Sequence, residues 1–152
     1  LCALVRRVTR RYRLGLAPNQ QVLTRISAEA LLVVGNRMQL EKVLTNLLQN
    51  GFDAMIEAES PRKLLLRVRR ERGEAAVRLS VADNGTGMDA AQLARIFEPF
   101  YTSKANGLGI GLAICQSVVR EHRGRIWARS RPGRGSVFHI TLPLSDGAEP
   151  AA

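Results

Sequence analysis

Cysteine, aromatic residues and long apolar runs are all scarce in this chain of 152 residues. The two cysteines, Cys2 and Cys115, are too few for a disulfide framework or a zinc cluster. No apolar stretch approaches the roughly 18–20 residues of a membrane span, so we expect a soluble protein. Aromatic residues make up 5%, which leaves few side chains on which nucleic-acid bases could stack. We therefore expect one folded domain from a reducing compartment, the cytoplasm.

Acidic residues are also few, because 13 Asp and Glu stand against 23 Lys and Arg, which gives a net charge of +10. A basic chain can bind nucleic acid or dock on an anionic membrane surface. In the predicted strands, arginines such as Arg67 and Arg69 alternate with apolar residues such as Val68. This alternation is typical of a sheet with one buried and one solvated face, and it accounts for much of the charge. A nucleic-acid-binding module remains an alternative.

Hydrophobic periodicity divides the chain into four helices and five strands. The predicted helices are 1–14, 36–58, 89–95 and about 108–122, and the predicted strands are 20–27, 63–71, 75–82, 124–130 and 135–142. This order predicts an α+β fold in which a mostly antiparallel sheet carries helices on one face. Because the chain starts at Leu1 without a leader sequence, we expect the first helix to continue from a longer protein.

The long helix carries a polar stripe beside its apolar face. Its members, which lie within about 60° of each other on a helical wheel, are Asn46, Asn50, Asp53 and Glu57. Two asparagines inside a helix are costly for helix propensity. Oxygen-bearing side chains one turn apart could hold a hard cation such as Mg²⁺. A solvated helix surface is the alternative interpretation.

Two glycine-rich segments add to this signal. DNGTGM (83–88) follows an apolar strand, and its glycines allow the backbone to approach a ligand while Asp83 can accept a hydrogen bond from an exocyclic amine. GLGIGL (107–112) opens a helix and offers bare N–H groups to an anion. The first pattern also occurs in ordinary turns. The spacing of the second fits neither a dinucleotide-binding motif nor a Walker phosphate loop.

Together these segments resemble the ATP-binding catalytic domain of sensor histidine kinases, in the GHKL superfamily shared with gyrase, heat-shock chaperones and mismatch-repair ATPases. The segments that carry the resemblance are LEKVLTNLLQNGFDAM (40–55), DNGTGM (83–88), IFEPFYTSK (96–104), GLGIGLAIC (107–115) and GRGSVFHITLPL (133–144). The resemblance implies a Bergerat fold, which is a two-layer α/β sandwich. It implies an ATP-binding domain at 20–144, a linker helix at 1–19 from a missing dimerisation and phosphoacceptor domain, and a polar tail at 145–152.

The resemblance also implies that ATP and Mg²⁺ bind. Asn50 would ligate Mg²⁺ with Asn46 in support, and Lys104 would contact phosphate from a lid at about 98–107; these three are the implied catalytic residues. Asp83 would accept from the adenine amino group, with Ser136 in its polar network. The implied nucleotide-binding set is Asn50, Asp53, Asp83, Gly85, Gly87, Lys104, Gly107, Leu108, Gly109, Gly111, Leu112 and Ser136.

Within that set, the resemblance gives the glycines two roles. Gly85 and Gly87 would let the backbone pass close to the base. The glycines of GLGIGL would form the hinge of the lid and present backbone amides to phosphate: Gly107, Gly109 and Gly111. Phe97 and Phe100 would anchor the lid.

Three positions depart from the family pattern. Gly51 stands where alanine is usual and should loosen the helix by about 0.5–1 kcal/mol. Asp53 stands where many such kinases carry Lys or Arg, so it cannot clamp phosphate, and we expect a water-mediated Mg²⁺ or purine-site role. Asn46 stands where the gyrase and chaperone branches carry a glutamate base. This difference argues against the alternative of a stand-alone ATPase or clamp.

The only histidines are His122 and His139, and neither lies in the acidic helical context of a phosphoacceptor, so we expect both to be structural. The resemblance therefore implies a histidine protein kinase whose γ-phosphoryl group passes to a histidine on a helical domain absent from this chain. The implied partners are that domain and the receiver domain of a response regulator. The whole protein would be a homodimer that can be anchored in a membrane, and no nucleic acid is expected.

Overall fold

The computed structural model describes residues 1–56, 61–102 and 107–145. Within these ranges the helices are α1 (Cys2–Arg13), α2 (Arg37–Ala54), α3 (Ala90–Arg95) and α4 (Gly111–Glu121). The strands are β1 (Gln20–Ile26), β2 (Arg62–Arg70), β3 (Ala76–Asp83), β4 (Arg125–Ser130) and β5 (Ser136–Pro143). No helix of the described ranges combines the length and the apolar character that crossing a membrane requires.

The strands form one sheet in the order β1-β2-β3-β5-β4. Only the β1–β2 pair is parallel, and the other three pairs are antiparallel. Alternate residues of each strand point to the same face. The inner face is buried, as Leu66 on β2, Leu79 on β3 and Ile140 on β5 show, and α2 and α4 cover it. The predicted α+β sandwich, with its helices on one face of a mostly antiparallel sheet, is confirmed.

α2 is the central helix of the inner layer. It begins after Asn36, whose side chain accepts hydrogen bonds from two backbone N–H groups of the first turn. Its apolar stripe is almost fully buried against the sheet and α4: Leu40, Val43, Leu44, Leu47 and Leu48.

α1 packs against α2 and against β1. Val5 and Val8 are buried in this contact, and Arg7 and Arg11 both form ion pairs with Glu41 on α2. The helix that we expect to be a linker is therefore also part of the packed domain.

Two helix boundaries differ from those predicted by more than one residue. α2 ends at Ala54, before the predicted end at residue 58, and residues 57–60 lie outside the described ranges. α4 begins at Gly111 instead of residue 108, because Gly109 has a φ of +68°, a left-handed conformation that a right-handed helix cannot include.

Candidate functional site

Three of the predicted motifs meet around the C-terminal half of α2. A Cβ atom added to Gly111, at the start of α4, would lie 2.5 Å from Asn46 Nδ2. One added to Gly85 would lie 2.4 Å from the carbonyl oxygen of Ala54 at the end of α2. Glycine at these positions therefore allows α4 and the loop after β3 to approach α2 more closely than a residue with a side chain would permit.

Gly51 has the same kind of role inside α2. Its added Cβ would lie 2.5 Å from Leu64 Cδ2, on a side chain that is completely buried in β2, and 3.6 Å from Asp83 Cβ. The usual alanine would not fit here unless Leu64 moved. The departure from the family pattern thus brings α2 against the sheet next to Asp83.

The two asparagines of the polar stripe contact each other. Asn50 Nδ2 donates a hydrogen bond of 3.0 Å to Asn46 Oδ1, and both side chains are half-buried. This bond orients the two amides one helical turn apart. Amide oxygens are hard ligands of the kind that Mg²⁺ accepts in proteins.

Asp83 ends β3 on the inner face and is only 9% exposed. Its Oδ1 accepts hydrogen bonds from the backbone N–H groups of Gly85, at 2.9 Å, and Ser136, at 3.2 Å. Burial raises the pKa of this carboxyl above its ordinary value, and hydrogen bonds from the backbone N–H groups of Gly85, Ser136 and Asp83 itself offset part of the rise. Both bonds from neighbouring segments reach Oδ1, so Oδ2 can accept from a ligand.

The glycine-rich loop after β3 is held by backbone contacts on two sides. Thr86 N–H donates to the Ala54 carbonyl at 3.1 Å, and the Thr86 carbonyl accepts from Gly133 N–H at 2.6 Å. Gly87 has a φ of +70°, and an added Cβ would lie 2.0 Å from the Arg131 carbonyl oxygen. Gly85 and Gly87 are thus required by the close packing of this loop, in addition to any approach to a base.

Sequence reasoning missed Ser130, which ends β4 behind this loop. Its hydroxyl donates to the Gly135 carbonyl at 3.0 Å and accepts from Met88 N–H at 2.7 Å. It also lies 2.9 Å from the Ser136 hydroxyl, which can donate to it. Ser136 therefore contacts Asp83 through its backbone amide, and its hydroxyl is bonded to Ser130. A serine in a strand end carries no sequence signal for this role.

We expect Ser130→Ala to lower stability by about 1–3 kcal/mol, because the half-buried Met88 N–H loses its acceptor. At roughly 2–4 °C per kcal/mol for a chain of this size, a thermal melt resolves the change. Affinity for ADP should fall as well, since the loop that holds Asp83 is loosened. Ser130→Thr, which keeps the hydroxyl, should restore both, and Ser117→Ala on the exposed side of α4 should change neither. Equal effects of Ser130→Ala and Ser117→Ala would refute the positioning role.

Of the two other members of the polar stripe, Asp53 lies within the described residues and Glu57 does not. Asp53 Oδ1 accepts from Gln49 Nε2 at 2.8 Å. Burial raises the pKa of Tyr12 on α1, and the charge of Asp53 adds to the rise. This places Asp53 on the side of α2 that faces α1. Glu57 lies outside the described residues, as does Lys104 in the segment 103–106.

The N-terminus of α4, which the sequence predicts to bind an anion, has no side-chain cap among the described residues. Its N-cap residue, Ile110, makes no side-chain hydrogen bond to the first turn, which also has no acidic residue. Leu112 packs against the core, whereas Leu108 is 75% exposed. The first N–H groups of an α-helix have no partner within the helix, so they can donate to phosphate oxygens.

Phe100 does not anchor the segment before α4, contrary to our expectation. It is 80% exposed, and its φ of +66° is rare for a residue with a side chain. Its backbone N–H donates to the Gly109 carbonyl at 2.9 Å, so the main chain makes the contact. Phe97 does pack against the core.

Residues 35–146 match the sequence model of the family described as histidine kinase-, DNA gyrase B-, and HSP90-like ATPase. The chain belongs to this ATPase family. It is 43% identical over 120 residues to the C4-dicarboxylate transport sensor protein DctS of Rhodobacter capsulatus, and the aligned region covers 78% of this chain and 18% of DctS. It is 36% identical over 137 residues to the sensor protein FixL of Bradyrhizobium diazoefficiens, and the aligned region covers 88% of this chain and 27% of FixL. The chain thus spans about a fifth to a quarter of these relatives.

Solved structures give the same result. The nucleotide-free catalytic domain of histidine kinase ThkA superposes with a TM-score of 0.79 at 31% identity, and the match covers 95% of this chain and 92% of that one. A structure of ThkA in complex with the response regulator protein TrrA superposes with a TM-score of 0.77 at 27% identity, covering 98% of this chain and 42% of that one. This member of the ATPase family is therefore an ATP-binding catalytic domain of the sensor histidine kinase type.

Both histidines of this ATPase domain are part of the fold. His122 Nδ1 donates to the Val118 carbonyl at 2.7 Å, and Nε2 accepts from Asn36 N–H at 2.9 Å, which joins the end of α4 to the start of α2. His139 Nδ1 lies 2.8 Å from the Ser80 hydroxyl on the neighbouring strand. Neither lies on an acidic helix, in agreement with a structural role.

We expect the ATPase domain to lose stability between pH 7 and pH 5 in part because of His139. Burial, helped by the nearby Arg78 and Arg129, lowers the pKa of His139 below its ordinary 6.5. The unfolded chain therefore takes up this proton first as the pH falls, so the contribution of His139 is complete above 6.5 and declines below it. His139→Gln should flatten the pH dependence of the melting temperature in this window. An unchanged slope would contradict the assignment.

Proposed function

We propose that this chain binds ATP with Mg²⁺ and that, in the whole protein, it donates the γ-phosphoryl group to a histidine on a helical domain outside this chain. The observation that carries the proposal is Asp83, a buried carboxylate whose Oδ1 is held by two backbone amides. Its Oδ2 would accept from a donor on the ligand. An exocyclic amine of a purine is a donor of that kind. Guanine, which presents a carbonyl at the corresponding position, would leave Asp83 facing an acceptor.

The residues of α2 fit a magnesium ion. The Asn46–Asn50 hydrogen bond holds two amides half-buried and one turn apart, close to the start of α4. Mg²⁺ is usually bound in proteins by one or two oxygen ligands together with substrate phosphates and water. Asn50 would supply such an oxygen, and Asn46 would orient it. The ion itself would neutralise phosphate charge.

The transfer needs little covalent chemistry from this chain. Phosphoryl transfer depends mainly on positioning and on neutralising charge. Asp83 would fix the base, the N–H groups of the first turn of α4 would bind phosphate oxygens, and Lys104 would add a positive charge. The bond between the γ-phosphorus and the β-phosphate oxygen would break, a bond from phosphorus to the acceptor nitrogen would form, and ADP would remain.

The partners of the whole protein follow from the same proposal. The acceptor histidine would lie on a helical dimerisation domain joined through α1, in a homodimer. A response regulator would receive the phosphoryl group next, as the complex of ThkA with TrrA supports. The site would work in the cytoplasm, where ATP is available.

Calorimetric titration with ADP, with and without Mg²⁺, tests the proposal. We expect saturable binding that weakens at least about tenfold when EDTA removes the metal, which corresponds to about 1.4 kcal/mol. Asn50→Ala should bind weakly in both conditions, so that the effect of Mg²⁺ disappears. Lys42→Ala, at an exposed position on the same helix, should behave like the wild type.

Two outcomes would contradict the proposal. A folded chain that binds no adenine nucleotide would remove the central claim. A variant Asn50→Ala that keeps the full effect of Mg²⁺ would remove the role of Asn50. Rapid ATP hydrolysis by the chain alone would instead favour a stand-alone ATPase.

A further inference from the structure

The face of the sheet opposite the helices is strongly basic. This face carries six arginines, which come from β1, β2, β3 and β4: Arg25, Arg67, Arg69, Arg78, Arg125 and Arg129. We call these six side chains the arginine face. No described helix covers it, and it lies on the other side of the sheet from Asp83 and the nucleotide site.

The register of the strands places like charges side by side on this face. Arg25 is directly opposite Arg67 on the parallel pair, and Arg69 is directly opposite Arg78 on the antiparallel pair. Like charges at such positions destabilise a sheet. Among the described residues only Arg78 of the arginine face has a carboxylate partner, Glu71. The sheet therefore carries an electrostatic cost that an anionic partner would relieve.

His139 on β5 lies among the side chains of the arginine face. Its ring lies on the same face, next to Trp127, and three of the arginines oppose its protonation: Arg69, Arg78 and Arg129. Burial lowers the pKa of His139 below its ordinary value, and these three arginines lower it further. The arginines of this face therefore act together on a group that lies among them.

An apolar row crosses the strands beside the arginines. Its members are consecutive partners in the sheet: Leu23, Leu65, Ala82 and Val137, with Arg129 at the end. Leu23 is 47% exposed. Because neighbouring strands lie about 4.8 Å apart, the four apolar members span about 14 Å, and Arg129 lies one strand farther on.

Trp127 adds an aromatic anchor to the same surface. The guanidinium carbons of Arg78 and Arg125 lie 5.1 Å and 5.9 Å from its ring centroid. Stacking of this kind holds a guanidinium in place for bidentate bonding to a carboxylate. Arginine and tryptophan are also the residues most enriched at the energetic centres of protein interfaces.

We propose that the arginine face docks an acidic amphipathic helix of a protein partner. The apolar stripe of the helix would lie on the row from Leu23 to Val137, and its flanking carboxylates would pair with Arg25, Arg67 and Arg129. A row of about 14 Å matches about 10 helical residues at 1.5 Å each. A single tryptophan offers no series of stacking platforms for bases, and a twisted sheet is not a flat surface for a membrane. A protein helix therefore fits better than either.

The test uses this chain and a fluorescent synthetic peptide of about 14 residues, with a leucine stripe flanked by glutamates. Its scrambled form keeps the composition and charge but has no stripe. Two further probes are vesicles of anionic phospholipid and a single-stranded oligonucleotide. Arg67→Glu combined with Arg129→Glu reverses the charge at two of the six positions of the arginine face. Arg120→Glu, on the exposed side of α4 in the helical layer, is the matched control.

We expect the double variant to bind the peptide at least about tenfold more weakly than the wild type, and Arg120→Glu to stay within about twofold. The scrambled peptide, the vesicles and the oligonucleotide should all bind more weakly than the striped peptide. The double variant should keep its melting temperature, because reversal at Arg67 relieves repulsion from Arg25, and it should bind ADP normally. This last readout separates the proposal from the nucleotide site.

The proposal would be overturned by any one of three results. The striped peptide and its scrambled form could bind equally, which would show attraction by net charge alone. Arg120→Glu could weaken binding as much as the double variant does. Vesicles or the oligonucleotide could bind more tightly than the striped peptide, which would assign the face to a membrane or to nucleic acid.

Discussion

Asp83→Asn should remove most of the affinity for adenine nucleotides and leave the domain as stable as the wild type or more so. Asparagine keeps the oxygen that accepts from Gly85 and Ser136. It replaces the second oxygen by an NH₂ group, which would face the amino group of adenine as a second donor. A site built to accept a hydrogen bond discriminates strongly once the acceptor is lost, by a factor of about 10² or more.

The stability side of this prediction follows from the raised pKa of Asp83. A carboxyl whose folded pKa lies above its ordinary 3.8 holds its proton more tightly in the native state. Stability therefore falls as the pH rises through the interval between 3.8 and the folded value, and the cost persists at neutral pH. Asparagine carries no charge and so has no such cost.

Calorimetric titration with ADP and thermal melts at pH 7 check both parts. Asp89→Asn is the matched control, because it makes the same chemical change at an exposed helix cap where asparagine serves equally well. An Asp83→Asn protein that binds ADP within about twofold of the wild type would refute the role of Asp83, because a lost acceptor should cost at least about 1 kcal/mol. An unfolded variant would refute the claim that burial of the charge is a cost.

Gly135→Ala should destabilise the domain by about 3 kcal/mol or more, whereas Gly133→Ala should cost only about 1–2 kcal/mol. The two glycines have nearly the same φ, +73° and +72°, so the cost of the left-handed conformation is shared. Their surroundings differ. A Cβ at Gly135 would lie 2.1 Å from the Asp83 carbonyl oxygen, but one at Gly133 would meet nothing within 4 Å.

The difference between the two variants measures the close approach of this turn to the end of β3. Thermal and urea unfolding give the stabilities, and titration with ADP gives the consequence for the site. We expect Gly133→Ala to bind ADP normally and Gly135→Ala to bind it weakly, since Asp83 must shift. Equal losses of stability would show that backbone conformation alone determines the effect.

The sequence predicts the strands well because their pattern has a short period. In β3 the alternation of Val77, Leu79 and Val81 with polar residues marks the buried face, and the observed strand boundaries agree with those predicted to within one residue. The predicted start of α4 is wrong by three residues. Apolar residues at 108 and 110 continue the helical pattern, but the left-handed Gly109 makes a helix impossible there.

The site was predictable where a motif lies within one segment and not where distant segments meet. Asn46 and Asn50 are one turn apart in the sequence, and their contact follows from helical geometry. The bond between Ser130 and Met88 joins residues 42 positions apart and depends on how β4 ends against the glycine loop. The role of Gly51 has the same origin, since only the packing of Leu64 shows that an alanine would need this side chain to move.

The most direct test of the nucleotide site is a ¹⁵N NMR titration of this chain with ADP and Mg²⁺. We predict shifts of the backbone amides of Gly85 and Ser136 and of the side-chain amides of Asn46 and Asn50, while the indole N–H of Trp127 on the opposite face stays unchanged. A folded chain in which the first four signals do not move would contradict the assignment of this site, and so would shifts confined to the arginine face.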